Sequence, residues 1–282
     1  MVRNLNAANI SNNLNRNTNS IRNNSSNIAS GNRINRAADD AANLAVLMKM
    51  RTQIGGTSQA INNTFNGISA IQTAEGALGG THTMLERAHM LSVQAANGTL
   101  NDAQRGFIQA EIDQIMSEVD RVAGSTNYNG INLLDGSLAG DNGLRLQIGA
   151  DNAADESLTV SIEAMDSIGV GLSGVDVRTQ GGAQDAIART DAAISRVSMQ
   201  RASLGAAQNR LEHTASNLIN AESNLTASAS QIGDANMAEE LIEFTKNNLL
   251  QQANIAMLAH QIKEPQGMMQ LLNSAPPPSF MA

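Results

Sequence analysis

Apolar residues recur by sevens over much of the chain, the spacing of helices that pack side by side. The longest series is Val197, Leu204, Leu211, Leu218, Leu225 and Ile232. It predicts one helix over about 183–232, and strict sevens favour a left-handed supercoil against neighbouring helices. At ~1.5 Å per residue that helix would be ~75 Å long, so it needs partner helices along its length. Two candidates precede it. Ile71, Leu78 and Leu85 step by seven in a helix predicted over about 58–97, beside a small-residue line at Ala74, Thr81, Ala88 and Ala95. Asn97-Gly98 ends that helix, because glycine tolerates the left-handed conformation of a helix end. Asn101 or Asp102 caps the next one, where Ile108, Ile112, Ile115, Val119 and Val122 alternate by four and three. Ala123-Gly124-Ser125 closes it.

The period changes after residue 126. Leu144, Leu146 and Ile148 alternate with other residues, and so do Leu158, Val160 and Ile162. Period two means strand, and the intervening Gly149-Ala150-Asp151-Asn152 reads as a turn. The segment from Ile168 to Gly182 is Gly-rich and predicted irregular.

The two ends carry weaker helical patterns. Thirteen of the first 35 residues are Asn, which competes with helix by bonding to its own backbone. Yet Leu14, Ile21 and Ile28 recur by sevens, with Ile10 beside them. This predicts an amphipathic helix that orders mainly on finding a partner. After Ser30-Gly31-Asn32 the pattern restarts, with Asp39 and Asp40 expected in a first helical turn, where negative charge is favoured. Leu44, Leu47 and Met48 form a stripe, and Gly55-Gly56 reads as a break or bend. At the other end, Gly233-Asp234 interrupts the long helix. Met237, Leu241, Phe244, Asn248, Gln251, Ile255, Leu258 and Ile262 then step by four and three. Polar Asn248 and Gln251 in such a seam fix register at a cost in stability. Pro265 is expected to end this helix, and Ala275-Pro276-Pro277-Pro278 marks a tail without helix.

The expected fold is mainly α: a long antiparallel coiled-coil rod with a small β-hairpin near 140–165, plus terminal helices that pair. The expected domains are 1–42 with 236–272, a rod over 43–235, a residual connection over 166–182 and a flexible tail over 273–282. Two adhesive ends on one rod suit polymerisation, and a repeated contact that does not close into a ring makes an open filament.

Composition sharpens this. Aromatics are 2% of 282 residues, so the core rests on Ala, Leu, Ile, Val and Met in narrow helix seams. The net charge of −8 comes without a basic block, which argues against nucleic acid as partner. No apolar run is long enough to span a bilayer, and the N-terminus lacks the apolar middle of a cleavable signal peptide. Cysteine is absent, so no disulfide or thiolate chemistry is available.

Many segments in fixed order carry a resemblance. They are SGNRINRAADDAANLAV (30–46), GISAIQTAEGAL (67–78), LSVQAANGT (91–99), IQAEIDQI (108–115), TNYNGINLLDG (126–136) and LQIGAD (146–151). RASLGAAQNRLEHT (201–214), DANMAEELIEFTK (234–246), QQANIAMLA (251–259) and PQGMMQLL (265–272) complete the series. Together they resemble the bacterial flagellin family over roughly 1–150 and 183–272. The resemblance implies a filament subunit exported through the flagellar type III channel to the cell exterior, without a cleaved signal peptide. It implies assembly with copies of itself, with Leu14, Ile21, Ile28, Met237, Leu241, Phe244, Ile255, Leu258 and Ile262 in the inner-tube helices. It also implies the flagellar cap and junction proteins and an export chaperone as partners. Only about thirty residues separate the matched regions, so no outer domains are expected. Asn273 to Ala282 extend beyond the family's usual end, and AHQIKEPQ replaces a more Gln/Asn-rich stretch. The resemblance further implies a receptor site for Toll-like receptor 5 at Arg87, Leu91 and Glu111, with departures at Glu86 and His89. A hook–filament junction protein is the alternative, but that family often places Pro after the Asp pair, where Ala41-Ala42 stand here. A non-flagellar helical adhesin or secretion-needle component is the third reading.

Catalytic chemistry finds no footing. His82 and His89 are seven apart without Cys or an HExxH motif. Glu239-Glu240 reads as charge near a helix N-terminus. Gly79-Gly80 and Gly181-Gly182 lack the Lys and Ser/Thr of a phosphate loop, and no Ser sits in a nucleophile elbow. Neither an enzyme nor a cofactor or metal is expected.

Overall fold

The computed structural model describes residues 5–151 and 153–273. Five α-helices dominate: α1 (Leu5–Ser30), α2 (Ala41–Ala95), α3 (Asp102–Ser125), α4 (Gln180–Gly233) and α5 (Met237–Asn273). Two antiparallel hairpins lie between α3 and α4. The first pairs β1 (Asn127–Tyr128) with β2 (Ile131–Asn132), and the second pairs β3 (Leu144–Gln147) with β4 (Ser157–Val160). The mainly α expectation with a small hairpin therefore holds. The chain forms two compact units: Thr52–Leu225, and the two ends up to Arg51 and from Thr226.

The central unit is built on the seven-residue series. Ile71, Leu78, Leu85, Val197, Leu204 and Leu211 are all essentially inaccessible, as are Ala74, Thr81, Ala88 and Ala95. The antiparallel course of α2 and α4 follows from their contacts: His89 reaches Thr190, and Glu75 reaches Arg201. Helix α3 returns along α2, with Ile108, Ile112 and Val119 buried and Ile115 half-buried. Each full Leu or Ile burial contributes about 1.5–3 kcal/mol, which substitutes for the missing aromatics. The series loosens toward Leu218 and Leu225, both half-buried.

Asn101 settles the cap of α3: its side chain accepts from Gln104 N while the Gln104 side chain accepts from Asn101 N, a capping box. The β1–β2 turn uses Asn129 and Gly130 at φ 52 and 80, the positive pair that a tight hairpin turn requires. In β3–β4, Leu144 opposes Val160 and Leu146 opposes Leu158, so the period-two residues share one face. The stretch after β4 is irregular, as expected, yet it buries Ile162, Met165, Val170, Leu172 and Val177.

Three local expectations are corrected. Helix α2 runs unbroken through Gly55-Gly56. A helical glycine costs only ~1 kcal/mol against alanine, and Gly56 serves close packing: a Cβ there would lie 2.9 Å from the Ala150 Cβ. Gly67 is used the same way, since a Cβ would meet Leu146 Cδ1 at 2.4 Å. Asp40 stands before the first turn of α2, not within it, and its carboxylate accepts from Asn43 N at 2.9 Å as an N-cap. That bond and the Asn43 side chain hold the Asp40 carboxyl below its ordinary range. Finally, α5 continues past Pro265 to Asn273. A proline removes one backbone donor, and the other bonds of a 37-residue helix carry it through. The Pro-rich tail lies outside the described residues.

Candidate functional site

In the terminal unit, α1 and α5 run antiparallel and close together. Asn17 Nδ2 donates to Asn247 O at 2.7 Å, Asn27 Nδ2 to Glu240 Oε1 at 2.9 Å, and Gln251 Nε2 to Thr18 Oγ1 at 3.4 Å. Residues advance along α1 as they retreat along α5. The strands of chain that follow α1 and precede α5 are tied as well: Arg33 N donates to Gly233 O, and Ala235 N to Gly31 O. Arg33 Nη2 caps Ile232 O at 2.8 Å. Leu47 packs beside Gly233 and is buried with Ile34.

The seam between α1 and α5 is half polar. On α1, Leu14, Ile21 and Ile28 form one half-buried line. Beside it runs a second seven-residue line: Ile10, Asn17 and Asn24. Asn17 is only 9% exposed. Asn24 donates to Ser20 O and accepts from Phe244 N once its amide is oriented to its neighbours. On α5 the half-buried positions are Glu240, Glu243, Phe244, Asn247, Asn248, Gln251, Asn254, Leu258 and Gln261. They lie along one side of the helix and coincide only in part with the expected four-three series. Phe244 and Leu258, with Asn248 and Gln251, are half-buried, but Met237, Leu241 and Ile255 are exposed. Polar side chains of α1 take part in the contact beside Leu14, Ile21 and Ile28: Asn17 donates to a main-chain carbonyl of α5 and Asn27 to the Glu240 carboxylate. Ile262 lies in α5, and its side chain falls outside the described residues.

The apolar residues displaced from the seam leave α5 with an uncovered face. Leu241, Ile242, Leu249, Leu250, Ile255 and Met257 are all exposed, with Ile242 at 67% and Leu249 at 61%. Several large apolar side chains on one exposed helix mark an interaction surface.

The receptor-type residues are divided. Arg87 Nε and Nη2 both donate to Glu111 Oε1, at 2.9 and 2.7 Å, on the outside of α2 and α3. Both side chains are about half exposed, so this pair is worth about 0–1 kcal/mol. Leu91 is 2% exposed and sits in the core with Ala95, Ile108 and Ile112. His89 faces α4, with Nδ1 at 3.0 Å from Thr190 Oγ1 and 3.3 Å from Asp191. His82 Nε2 lies 3.4 Å from Glu86 of its own helix. Among the described residues, no three His, Asp or Glu side chains gather as metal ligands would.

Sequence reading missed Arg105. It is 7% exposed, and its Nε and Nη2 donate to Ala95 O and Asn97 O, closing the end of α2 against the start of α3. Arg178 holds the Asp176 carboxyl down to about 2 through a two-pronged bond just before α4. Both groups are exposed, so this orients the loop and adds little stability.

Long paired helices and an uncovered apolar face describe a helical protein with surface left over for association. The bacterial flagellin N-terminal helical region matches residues 2–139, and the bacterial flagellin C-terminal helical region matches residues 187–272. The flagellin of Bacillus subtilis (strain 168) is 42% identical over 300 residues, spanning 95% of this chain and 98% of that protein. The flagellar filament 30.7 kDa core protein of Treponema maltophilum is 40% identical over 269 residues, spanning 91% of this chain and 94% of that one. The crystal structure of Bacillus cereus flagellin aligns over 56% of this chain and 88% of its own, at a TM-score of 0.48 and 30% identity. The chain belongs to the bacterial flagellin family, which is a family of structural proteins.

Proposed function

We propose that this chain is a structural subunit of the bacterial flagellar filament and that its two ends make the contacts between copies. The observation that carries the reading is the uncovered face of α5, with Ile242, Leu249, Leu250 and Met257 exposed on a helix already paired to α1. Apolar surface of this kind is costly in water and is relieved by association. Relatives named as filament core proteins support the same role. Residues 1–42 with 236–272 are the assembly domain in this reading. The subunit acts outside the cell, reaching the growing filament unfolded through the flagellar type III channel. Among the described residues, no helix is long and apolar enough to cross a membrane. The cap, the junction proteins and an export chaperone are its partners on the way.

Seeded polymerisation tests this. Purified full-length chain should elongate filament seeds, and a chain lacking residues 1–40 should not. Normal elongation by the shortened chain would remove the terminal helices from the mechanism.

A second reading concerns the outer side of α2 and α3, where the exposed Arg87–Glu111 pair matches the receptor-type pattern. Toll-like receptor 5 is the partner that this pattern suggests. Arg87→Ala should weaken binding of the monomer to the receptor ectodomain while leaving its stability unchanged. Leu91→Ala should lower stability by about 2–5 kcal/mol, because its side chain is in the core. Equal, negligible binding by the parent and both variants would end the receptor reading.

A further inference from the structure

Four Asn-Gly pairs occur in the chain, at 66–67, 97–98, 129–130 and 142–143. In such a pair the glycine nitrogen can attack the asparagine Cγ, because no Cβ on the second residue blocks the approach. The new N–Cγ bond closes a five-membered succinimide, the Cγ–Nδ2 bond breaks, and ammonia leaves. Water then adds to either ring carbonyl, giving aspartate or isoaspartate. No electrons are transferred, and water is the only co-reactant.

The fold separates the four pairs. Asn66-Gly67 lies in the interior of α2, with Gly67 buried and packed toward Leu146. In Asn142-Gly143 the attacking nitrogen donates to Gly140 O at 3.3 Å, and Gly143 is packed against Thr159 and Val160. Asn129-Gly130 is held at positive φ at both residues, with Tyr128 and Ile131 paired across the turn. Asn97-Gly98 differs from all three. Residues 97–99 are exposed just beyond the end of α2, and among the described residues no acceptor takes the Gly98 N–H. Thr99 N donates to Asn97 Oδ1 at 3.2 Å. That bond folds the side chain forward over Gly98. It also polarises the Cγ carbonyl and faces the oxygen on which charge develops during attack, the arrangement that stabilises an oxyanion.

We propose that Asn97 is a site of spontaneous deamidation in the folded chain, converted through a succinimide with Gly98 to aspartate and isoaspartate. The position is sensitive. The Asn97 main-chain carbonyl accepts from Arg105 Nη2 at 3.1 Å and from Leu100 N at 3.3 Å. An isoaspartate adds a methylene to the main chain at this corner and sets a carboxylate close to the buried guanidinium.

The test is peptide mapping of purified full-length monomer after incubation in warm, mildly alkaline buffer. Trypsin cleavage after Arg87 and Arg105 isolates residues 88–105, and fragment ions separate Asn97 from Asn101. Asn97 should gain the mass of an amide-to-acid exchange at least about tenfold faster than Asn66, whose helix must first open locally. It should also lead Asn129 and Asn142. Gly98→Ala should slow the conversion by about tenfold or more, since its Cβ crowds the attacking nitrogen. Its φ is ordinary and only Gln180 is near, at 3.9 Å, so this variant keeps the fold. No conversion at Asn97, or conversion there no faster than at Asn66, overturns the proposal. The monomer is used throughout, so the result does not depend on filament assembly.

Discussion

Arg105 shows how much one side chain holds at the α2–α3 corner. Helix ends leave carbonyls without partners, and here a buried guanidinium takes Ala95 O at the end of α2 and shares Asn97 O, just beyond it, with Leu100 N. Its contact with Asp102 at 3.1 Å is to a carboxylate almost wholly in water, so little is gained there. Arg105→Ala should therefore cost about 3 kcal/mol, because it strips charged hydrogen bonds and leaves the Ala95 carbonyl unsatisfied, while Asn97 O keeps Leu100 N. Urea unfolding would read this as a lower midpoint with an unchanged slope. Lysine should recover part of it, having the charge but not the planar fork. Nothing in the local sequence announces this role, since Asp102-Ala103-Gln104-Arg105 reads as an ordinary first helical turn. Leu91 carries the opposite lesson: a motif placed it with Arg87 and Glu111, but its position in the seven-residue packing puts it inside.

At the scale of elements, what was legible followed from periodicity. Ile71, Leu78, Leu85, Val197, Leu204 and Leu211 repeat by sevens because each faces a neighbouring helix, and all are buried. The β3–β4 hairpin was equally plain in the alternation of Leu144, Leu146, Leu158 and Val160. What was not legible depended on contacts distant in sequence. Gly56 looks like a break until Ala150 is seen beside it. On α5 the expected series coincides with the seam at Phe244, Asn248, Gln251 and Leu258, while Met237, Leu241 and Ile255 face outward. The polar share of the seam was signalled in the second line of α1, where Asn17 and Asn24 also stand seven apart. Asparagine within a seam fixes register and weakens the pair, so α1 and α5 are matched in one alignment and held loosely. Asn17→Leu should raise the helix content of the free monomer, by circular dichroism, and should broaden the amide signals of α5 as alternative registers appear. Unchanged helix content with a single sharp set of signals would contradict that reading.

For the whole molecule, the two compact units divide the work. The central unit buries most of the large aliphatic side chains in continuous seams and folds on them. The terminal unit spends polar residues on its internal seam and leaves Leu241, Ile242, Leu249, Leu250, Ile255 and Met257 facing outward. A chain meant to remain a monomer would do the reverse. The most direct measurement is elongation of filament seeds by an Ile242→Lys, Leu249→Lys double variant. Both side chains are exposed, so the monomer should keep its helix content and thermal midpoint, while elongation should fall below detection. Elongation at the parental rate by this variant would contradict the claim that the outward face of α5 joins one copy to the next.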